Sequence, residues 1–257
     1  MLLDKRRVRQ AFADASGHYD RVARLQREVG QQLLDSMPNV YGSVADLGCG
    51  TGFISEQLQD VAIDRLWAID IAEAMLQTTR RRLTTGKAGY VCADIERLPL
   101  AENCLDFALS NLALQWCQRS DQVFADLYRV LKPGGRLVFS SFGPATLQEL
   151  KSAWAAVDSA VHVNDFISLS ELSRTLAQSG LTLDHQAQEG KQICYPDVWT
   201  LMAELKTLGA GNADQYRRKQ LTGKQRFKAM LAAYPRCETG GIAATFEIFW
   251  LSASKLK

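Results

Sequence analysis

The chain has 257 residues, of which 47% are apolar and 23% charged, with a net charge of +2. That length accommodates one well-buried α/β domain with insertions and leaves little room for two, and the near-neutral balance excludes polyanion binding over the whole surface. The first residues carry charges without the apolar stretch of a signal peptide, and no apolar run approaches the ~20 residues of a membrane span, so a cytoplasmic protein with neither membrane nor nucleic-acid partner is expected. Cys49, Cys92, Cys104, Cys117, Cys194 and Cys237 show no Cys-x-x-Cys spacing and read as buried, reduced thiols. Three scattered histidines give no metal-ligand pattern, so no metal is expected.

Residues 1–36 place Val22, Leu25, Val29 and Leu33 at steps of three and four, which predicts a helical lid with one greasy face. Tyr19 and Gln26 are its polar exceptions, able to reach a ligand beneath. The run Val44-Ala45-Asp46-Leu47-Gly48-Cys49-Gly50-Thr51-Gly52, followed by a helical Phe53–Leu58, reads as strand, glycine loop, helix. Small residues there let the backbone approach a ligand. Phe53 stands where the third glycine of a dinucleotide loop belongs, and Asp46 at the strand end suits an ammonium group better than a pyrophosphate. Arg65–Ile69 predicts a second strand ending at Asp70, an acid placed to accept both ribose hydroxyls. Gly89–Ala93 predicts a third, ending at Asp94, which would accept from an adenine amino group while Ile95 packs on the ring. A single acid at a strand end often only caps a turn. Three of them on one sheet edge point to a ligand with an amino-acid head and an adenosine tail, and S-adenosylmethionine (AdoMet) is such a ligand.

Leu105–Leu109 predicts a fourth strand leading into Ser110-Asn111, Asp121–Leu131 a helix stopped by Lys132-Pro133-Gly134-Gly135, and Arg136–Ser140 a fifth strand. A helix over Ala145–Val157 precedes a segment containing His162 and Phe166. Ser168-Leu169-Ser170-Glu171 is a capping box that opens a helix ending at Gly180. Leu181–Tyr195 reads as strand six, Val198–Leu208 as a helix, and Ala243–Leu251 as a final, antiparallel strand. From Lys206 to Lys228 seven cations, including Arg217, Arg218, Lys219 and Lys224, face Asp214 alone.

From Val44 to Phe142 the pattern resembles the class I AdoMet-dependent methyltransferases. Three further regions resemble the malonyl-acyl-carrier-protein O-methyltransferases of biotin synthesis. They are Phe12–Asp20 with Leu25-Gln26, the stretch His162-Val163-Asn164 with Phe166, and Leu201–Lys206 continuing through Leu221-Thr222-Gly223-Lys224, Ala232-Ala233-Tyr234 and Ala244–Glu247. Gly211-Asn212 and Lys219-Gln220 depart from that pattern. The resemblance implies an α/β, Rossmann-like, doubly wound and mostly parallel seven-stranded sheet with an antiparallel last strand. It divides a single domain, 1–257, into the lid (1–36), an AdoMet-binding core (43–142) and substrate or partner insertions (144–180 and 196–240). It implies AdoMet as methyl donor and S-adenosylhomocysteine as product, held by Tyr19, Gln26, Asp46, Gly48, Cys49, Gly50, Asp70, Ile71, Met75, Asp94, Ile95 and Asn111.

The implied reaction methylates the free carboxylate of a malonyl group on acyl carrier protein. A carboxylate is already ionised at pH 7, so no general base is required and none of the usual dyads is evident. Trp116, His162 and Phe166 are candidate pocket residues, with Tyr19 and His162 as positioning candidates. The basic segment, with Arg217, Arg218, Lys219 and Lys224, would dock the acidic carrier. Two other readings share the cofactor residues: a small-molecule O- or C-methyltransferase acting on a free acid or quinone, and a non-catalytic AdoMet-binding protein. Nucleic-acid amino-methyltransferases are disfavoured, because strand four ends Ser110-Asn111-Leu112-Ala113 and lacks their Pro-Pro-Tyr-type motif.

Overall fold

The computed structural model describes residues 3–37, 39–61, 63–211, 223–237 and 240–257. Its centre is a seven-stranded sheet in the order β3-β2-β1-β4-β5-β7-β6. The strands are β1 (Gly42–Leu47), β2 (Ile63–Asp70), β3 (Ala88–Cys92), β4 (Leu105–Asn111), β5 (Leu131–Phe142), β6 (Thr182–Tyr195) and β7 (Ile242–Ser254). β1 to β5 pair in parallel, and β7 lies antiparallel to both of its neighbours, β5 and β6. The doubly wound sheet with an antiparallel last strand is therefore as expected. β7 is inserted inside the sheet, and β6 takes the edge.

The helices are α1 (Lys5–Ala15), α2 (Tyr19–Val22), α3 (Arg24–Asp35), α4 (Phe53–Leu58), α5 (Glu73–Arg82), α6 (Ser120–Val130), α7 (Gln148–Ala155), α8 (Leu169–Gln178), α9 (Val198–Thr207) and α10 (Lys224–Ala233). The predicted lid is thus three helices. α3 buries Leu25, Val29 and Leu33 of the stripe read from the sequence, together with Gly30, while Val22 falls in α2 and is only partly buried. α6 buries Val123, Phe124, Leu127 and Val130, and Phe124 meets Phe139 of β5 with ring centroids 5.7 Å apart. Each such side chain removed from water contributes about 1.5–3 kcal/mol, which is what holds the helix to the sheet. Ser168 caps α8 by accepting from the Glu171 N–H, as the capping box predicts.

Three expectations need adjustment. Lys132–Gly135 does not lie outside the sheet: β5 begins at Leu131 and the register slips between Leu105 and Phe107, so the turn is absorbed as an irregularity in the strand. α7 starts at Gln148, later than expected, because Leu147 adopts a left-handed backbone (φ 56°) that a continuous helix does not allow. The cysteines are not uniformly buried. Cys49 is buried, Cys92 and Cys194 are exposed, and the other three lie between. Alternation along a strand puts every second side chain outward, and the edge strands β3 and β6 leave such positions uncovered. No helix among the described residues is long and apolar enough to cross a membrane.

Candidate active site at the carboxyl edge of the sheet

Strand order reverses between β1 and β4, and ligands in such sheets sit in the crevice at that point, outside the carboxyl ends of the strands. Here the crevice is floored by the glycine loop, whose Gly48, Gly50 and Gly52 all adopt positive φ. Gly48 has no alternative: a Cβ there would lie 2.3 Å from that of Ala113. Asp46, next to last in β1, is 1% exposed and accepts from the Ser55 hydroxyl at 2.6 Å. Asp70 ends β2 and accepts the Gly50 N–H at 2.9 Å and the Ala72 N–H at 2.8 Å. Burial pushes each carboxyl up to about 6. Neither has an ion pair among the described residues.

Asn111, at the end of β4, is wired on both sides. Its Nδ2 donates to the Gln26 carbonyl at 2.9 Å and its Oδ1 accepts the Ser140 hydroxyl at 2.7 Å. α3 passes so near that a Cβ on Gly30 would meet Asn111 Nδ2 at 2.8 Å. Asn111, Asp46, Gly48, Cys49 and Gly50 line one part of the cleft with Tyr19 and Gln26. Gln26 Oε1 is buried there with no hydrogen-bond donor among the described residues. Two buried carboxylates and an orphaned acceptor around one cleft fit a ligand that brings positive charge and N–H or O–H donors. The ammonium, sulfonium and ribose groups of AdoMet supply those, so the residues fit that cofactor.

The adjoining part of the cleft is lined by Asp70, Ile71, Met75, Asp94 and Ile95 with Tyr19, Gly48, Gly50 and Asn111. The structure therefore brings all twelve predicted cofactor positions to one crevice. Sequence reasoning placed Tyr19 and Gln26 of the lid here but missed the ion pairs by which the lid holds to the core. Lys5 of α1 reaches Asp94 Oδ1 at 2.9 Å and Glu96 at 2.8 Å. Asp94 Oδ1 also accepts the Glu96 N–H at 3.1 Å. Asp20 of α2 accepts from Thr51 at 2.7 Å and pairs with Arg82, which fastens the lid over the glycine loop. Such pairings span 31 to 89 residues, and no local pattern announces them.

Beside this cleft lies a cavity of about 1070 Å³, walled by Phe142, Leu150, Trp154, Phe166, Trp199 and Phe246. Trp116 lines both spaces, and its ring meets Phe12 of α1 edge-on at 5.4 Å. His162 also lines the cavity. It stacks on Trp154 with centroids 3.8 Å apart, and its Nε2 lies 2.7 Å from Asp158 Oδ1, a contact that holds the Asp158 carboxyl below its usual range. Phe166 packs on Phe142 at 5.8 Å. Trp116, His162 and Phe166, singled out in the sequence, thus share one cavity. Trp154 and Trp199 were missed, because an aromatic on a helix carries no signal that separates a cavity wall from core.

Arg217, Arg218 and Lys219 lie outside the described residues. Of the same basic stretch, Lys206 lines the cavity, Lys224 opens α10 exposed, and Arg226 stands 3.8 Å from Asp158.

Known methyltransferases resemble the chain over nearly its whole length. A family described as "Methyltransferase domain" matches residues 45–139. The chain is 40% identical to a malonyl-acyl-carrier-protein O-methyltransferase of Methylococcus capsulatus, over 95% of this chain and 92% of that protein. The chain belongs to the malonyl-acyl-carrier-protein O-methyltransferase family. It is also 41% identical to the biotin biosynthesis bifunctional protein BioHC of Cellvibrio japonicus, over 98% of this chain. The chain spans about half the length of that bifunctional relative, 51%. The solved structure of an S-adenosylmethionine dependent methyltransferase from Mesorhizobium loti superposes with a TM-score of 0.55 at 18% identity, over 87% of this chain and 96% of that one. That likeness concerns the fold.

Proposed function

We propose that this chain transfers a methyl group from AdoMet to the free carboxylate of a malonyl group carried on acyl carrier protein, giving the methyl ester used in biotin synthesis. The observation that carries this reading is the junction at Trp116. A cleft carrying Asp70 and Asp94 and suited to AdoMet opens there against a large aromatic cavity suited to a thioester-linked acyl group. The names of the family relatives support the choice of substrate.

AdoMet supplies an electrophilic methyl on a positively charged sulfur. The chain's own residues position and desolvate. Asp46 and the open acceptor of Gln26 would hold the amino-acid head, Asp70 the ribose hydroxyls, and Asp94 the adenine amino group beside Ile95. Cys49, Ile71 and Met75 would fill the apolar contacts, and Tyr19 on α2 would close the methyl end. Held there, AdoMet would offer its methyl group to a substrate carboxylate reaching in from the cavity past Trp116, and the chain's part is to align the two. The nucleophile is ionised from the start, so no residue need accept a proton, and the acceleration comes from in-line placement in a site without water. His162, braced by Trp154 and Asp158, would contact the substrate and not take its proton. The basic stretch around α10, with Arg217, Arg218, Lys219 and Lys224, would receive the acidic carrier protein.

The test is to incubate the protein with labelled AdoMet and, separately, malonyl carrier protein, malonyl-CoA and free malonate. Ester formation on the carrier-bound acid well above the free acid is expected. Faster turnover of free malonate would make the chain a small-molecule methyltransferase, and tight AdoMet binding with turnover of none would make it a binding protein.

A further inference from the structure

Two cysteines outside the cleft and the cavity are held face to face. Cys194 is on β6 in register with Ala243 of β7, and Cys237 lies between α10 and β7, yet their sulfurs are 2.7 Å apart. Backbone bonds fix both positions. Arg236 bridges Ile242, and the Cys237 N–H donates to the Gly241 carbonyl at 3.2 Å while its own carbonyl accepts from Gly240 at 3.1 Å. A disulfide requires sulfurs at about 2.05 Å, so bond formation asks for a shift of well under an ångström. Both thiols are free, and Cys194 is exposed. Two thiols fall short of the four ligands of a structural zinc site, and no group of three or more potential ligands exists among the described residues.

We propose that Cys194 and Cys237 form a reversible disulfide that ties the chain entering β7 to β6 and thereby fixes α10 against the large cavity. α10 is the element affected because it ends just before Cys237. Its Phe227 packs on Trp199 at 4.3 Å and on Trp154 at 6.2 Å, both of which wall the cavity. The oxidant is a small disulfide such as glutathione disulfide. The Cys194 thiolate attacks one of its sulfurs, forming a mixed disulfide and releasing one glutathione thiolate. Cys237 then attacks the Cys194 sulfur, its proton passing to solvent, and the second glutathione leaves. Two protein thiols are oxidised and one glutathione disulfide is reduced to two glutathiones. The order of attack follows from access: Cys194 is the exposed partner and Cys237 is partly covered.

The bond itself does not depend on the reaction proposed above, whereas its effect on turnover rests on that reading. The experiment equilibrates the intact protein with glutathione disulfide, counts free thiols, maps linked peptides and repeats the measurement after reduction. Expected are a fall from six free thiols to four, a Cys194–Cys237 peptide that reduction removes, and a melting temperature several degrees above that of the reduced form. Cys237→Ser should instead trap glutathione on Cys194. Absence of the linked peptide in the wild type, or capture of both thiols only as mixed disulfides, overturns the proposal. In the oxidised protein AdoMet affinity should be unchanged, while kcat/KM for malonyl carrier protein changes several-fold. Cys194→Ser/Cys237→Ser should be insensitive to the oxidant. A complete cross-link with unaltered kcat/KM would overturn the link to the cavity. A cross-link in a protein whose reduced form has no turnover would leave the disulfide standing and refute the reaction.

Discussion

Asp46 and Asp70 each sit buried with a carboxyl held up to about 6, against an ordinary 3.8. The native state therefore holds those protons more firmly than the unfolded chain does. The resulting stability is fully present below pH ~4 and is lost as pH rises through ~6. A cationic ligand reverses the preference, because it favours the ionised forms. AdoMet binding should accordingly tighten about tenfold from pH 5 to pH 7 for one such group held ionised in the complex, as calorimetry at each pH would show. Asp70→Asn should weaken binding at pH 7 at least ~10-fold and flatten the profile. An affinity indifferent to pH over this range would remove the two carboxylates from the contact. His162 gives the complementary test. With an ionised carboxylate as nucleophile, the saturated rate should stay level from about pH 6 to 8, and His162→Asn should raise KM more than it lowers kcat. A pH dependence of the saturated rate that vanishes in that variant would make His162 the base.

At the level of elements, α3 shows how packing and chemistry constrain one position together. Alanine at an exposed helix site is worth about 1 kcal/mol over glycine. At Gly30 the added Cβ would press on Asn111, whose amide is pinned by Gln26 and Ser140 and cannot swing aside without losing a bond. Gly30→Ala should therefore destabilise the protein by at least about 1 kcal/mol in urea melts and weaken AdoMet binding with it. An unchanged melt would mean that Asn111 moves freely. The same element marks the limit of what the chain discloses. Val29 and Leu33 could be placed on a buried face from their spacing, and Asp46, Asp70 and Asp94 at one edge from three strand ends. Both inferences use local periodicity and the known behaviour of parallel sheets. Lys5 against Asp94, His162 between Trp154 and Asp158, and Cys194 against Cys237 depend on where distant segments come to rest, and local pattern carries no record of that. The break between α2 and α3 was hidden for a simpler reason: Ala23 interrupts the lid between Val22 and Leu25 without disturbing their apolar spacing.

For the whole molecule, the proposed partner would be recognised by charge at long range. An acidic carrier meeting seven cations between Lys206 and Lys228 should associate by steering that weakens as the screening length shortens from ~10 Å at 0.1 M salt to ~3 Å at 1 M. Reversing Arg217, Arg218 and Lys219 to glutamate should lower kcat/KM for malonyl carrier protein several-fold, mostly through slower association, and change malonyl-CoA turnover much less. Equal losses on both substrates would point to a damaged cavity, and no loss on either to a docking face elsewhere. The sheet order has a different consequence, in time. β6 joins the sheet only through β7, which follows it in the chain, so during synthesis a 14-residue strand waits without a partner until β7 has emerged. An apolar strand in that position would be a template for aggregation. β6 instead carries Asp184, His185, Gln186, Gln188, Glu189, Lys191 and Gln192, nearly all of them still exposed in the finished fold. Its polarity withholds the apolar edge that would invite mispairing during the interval that the topology imposes.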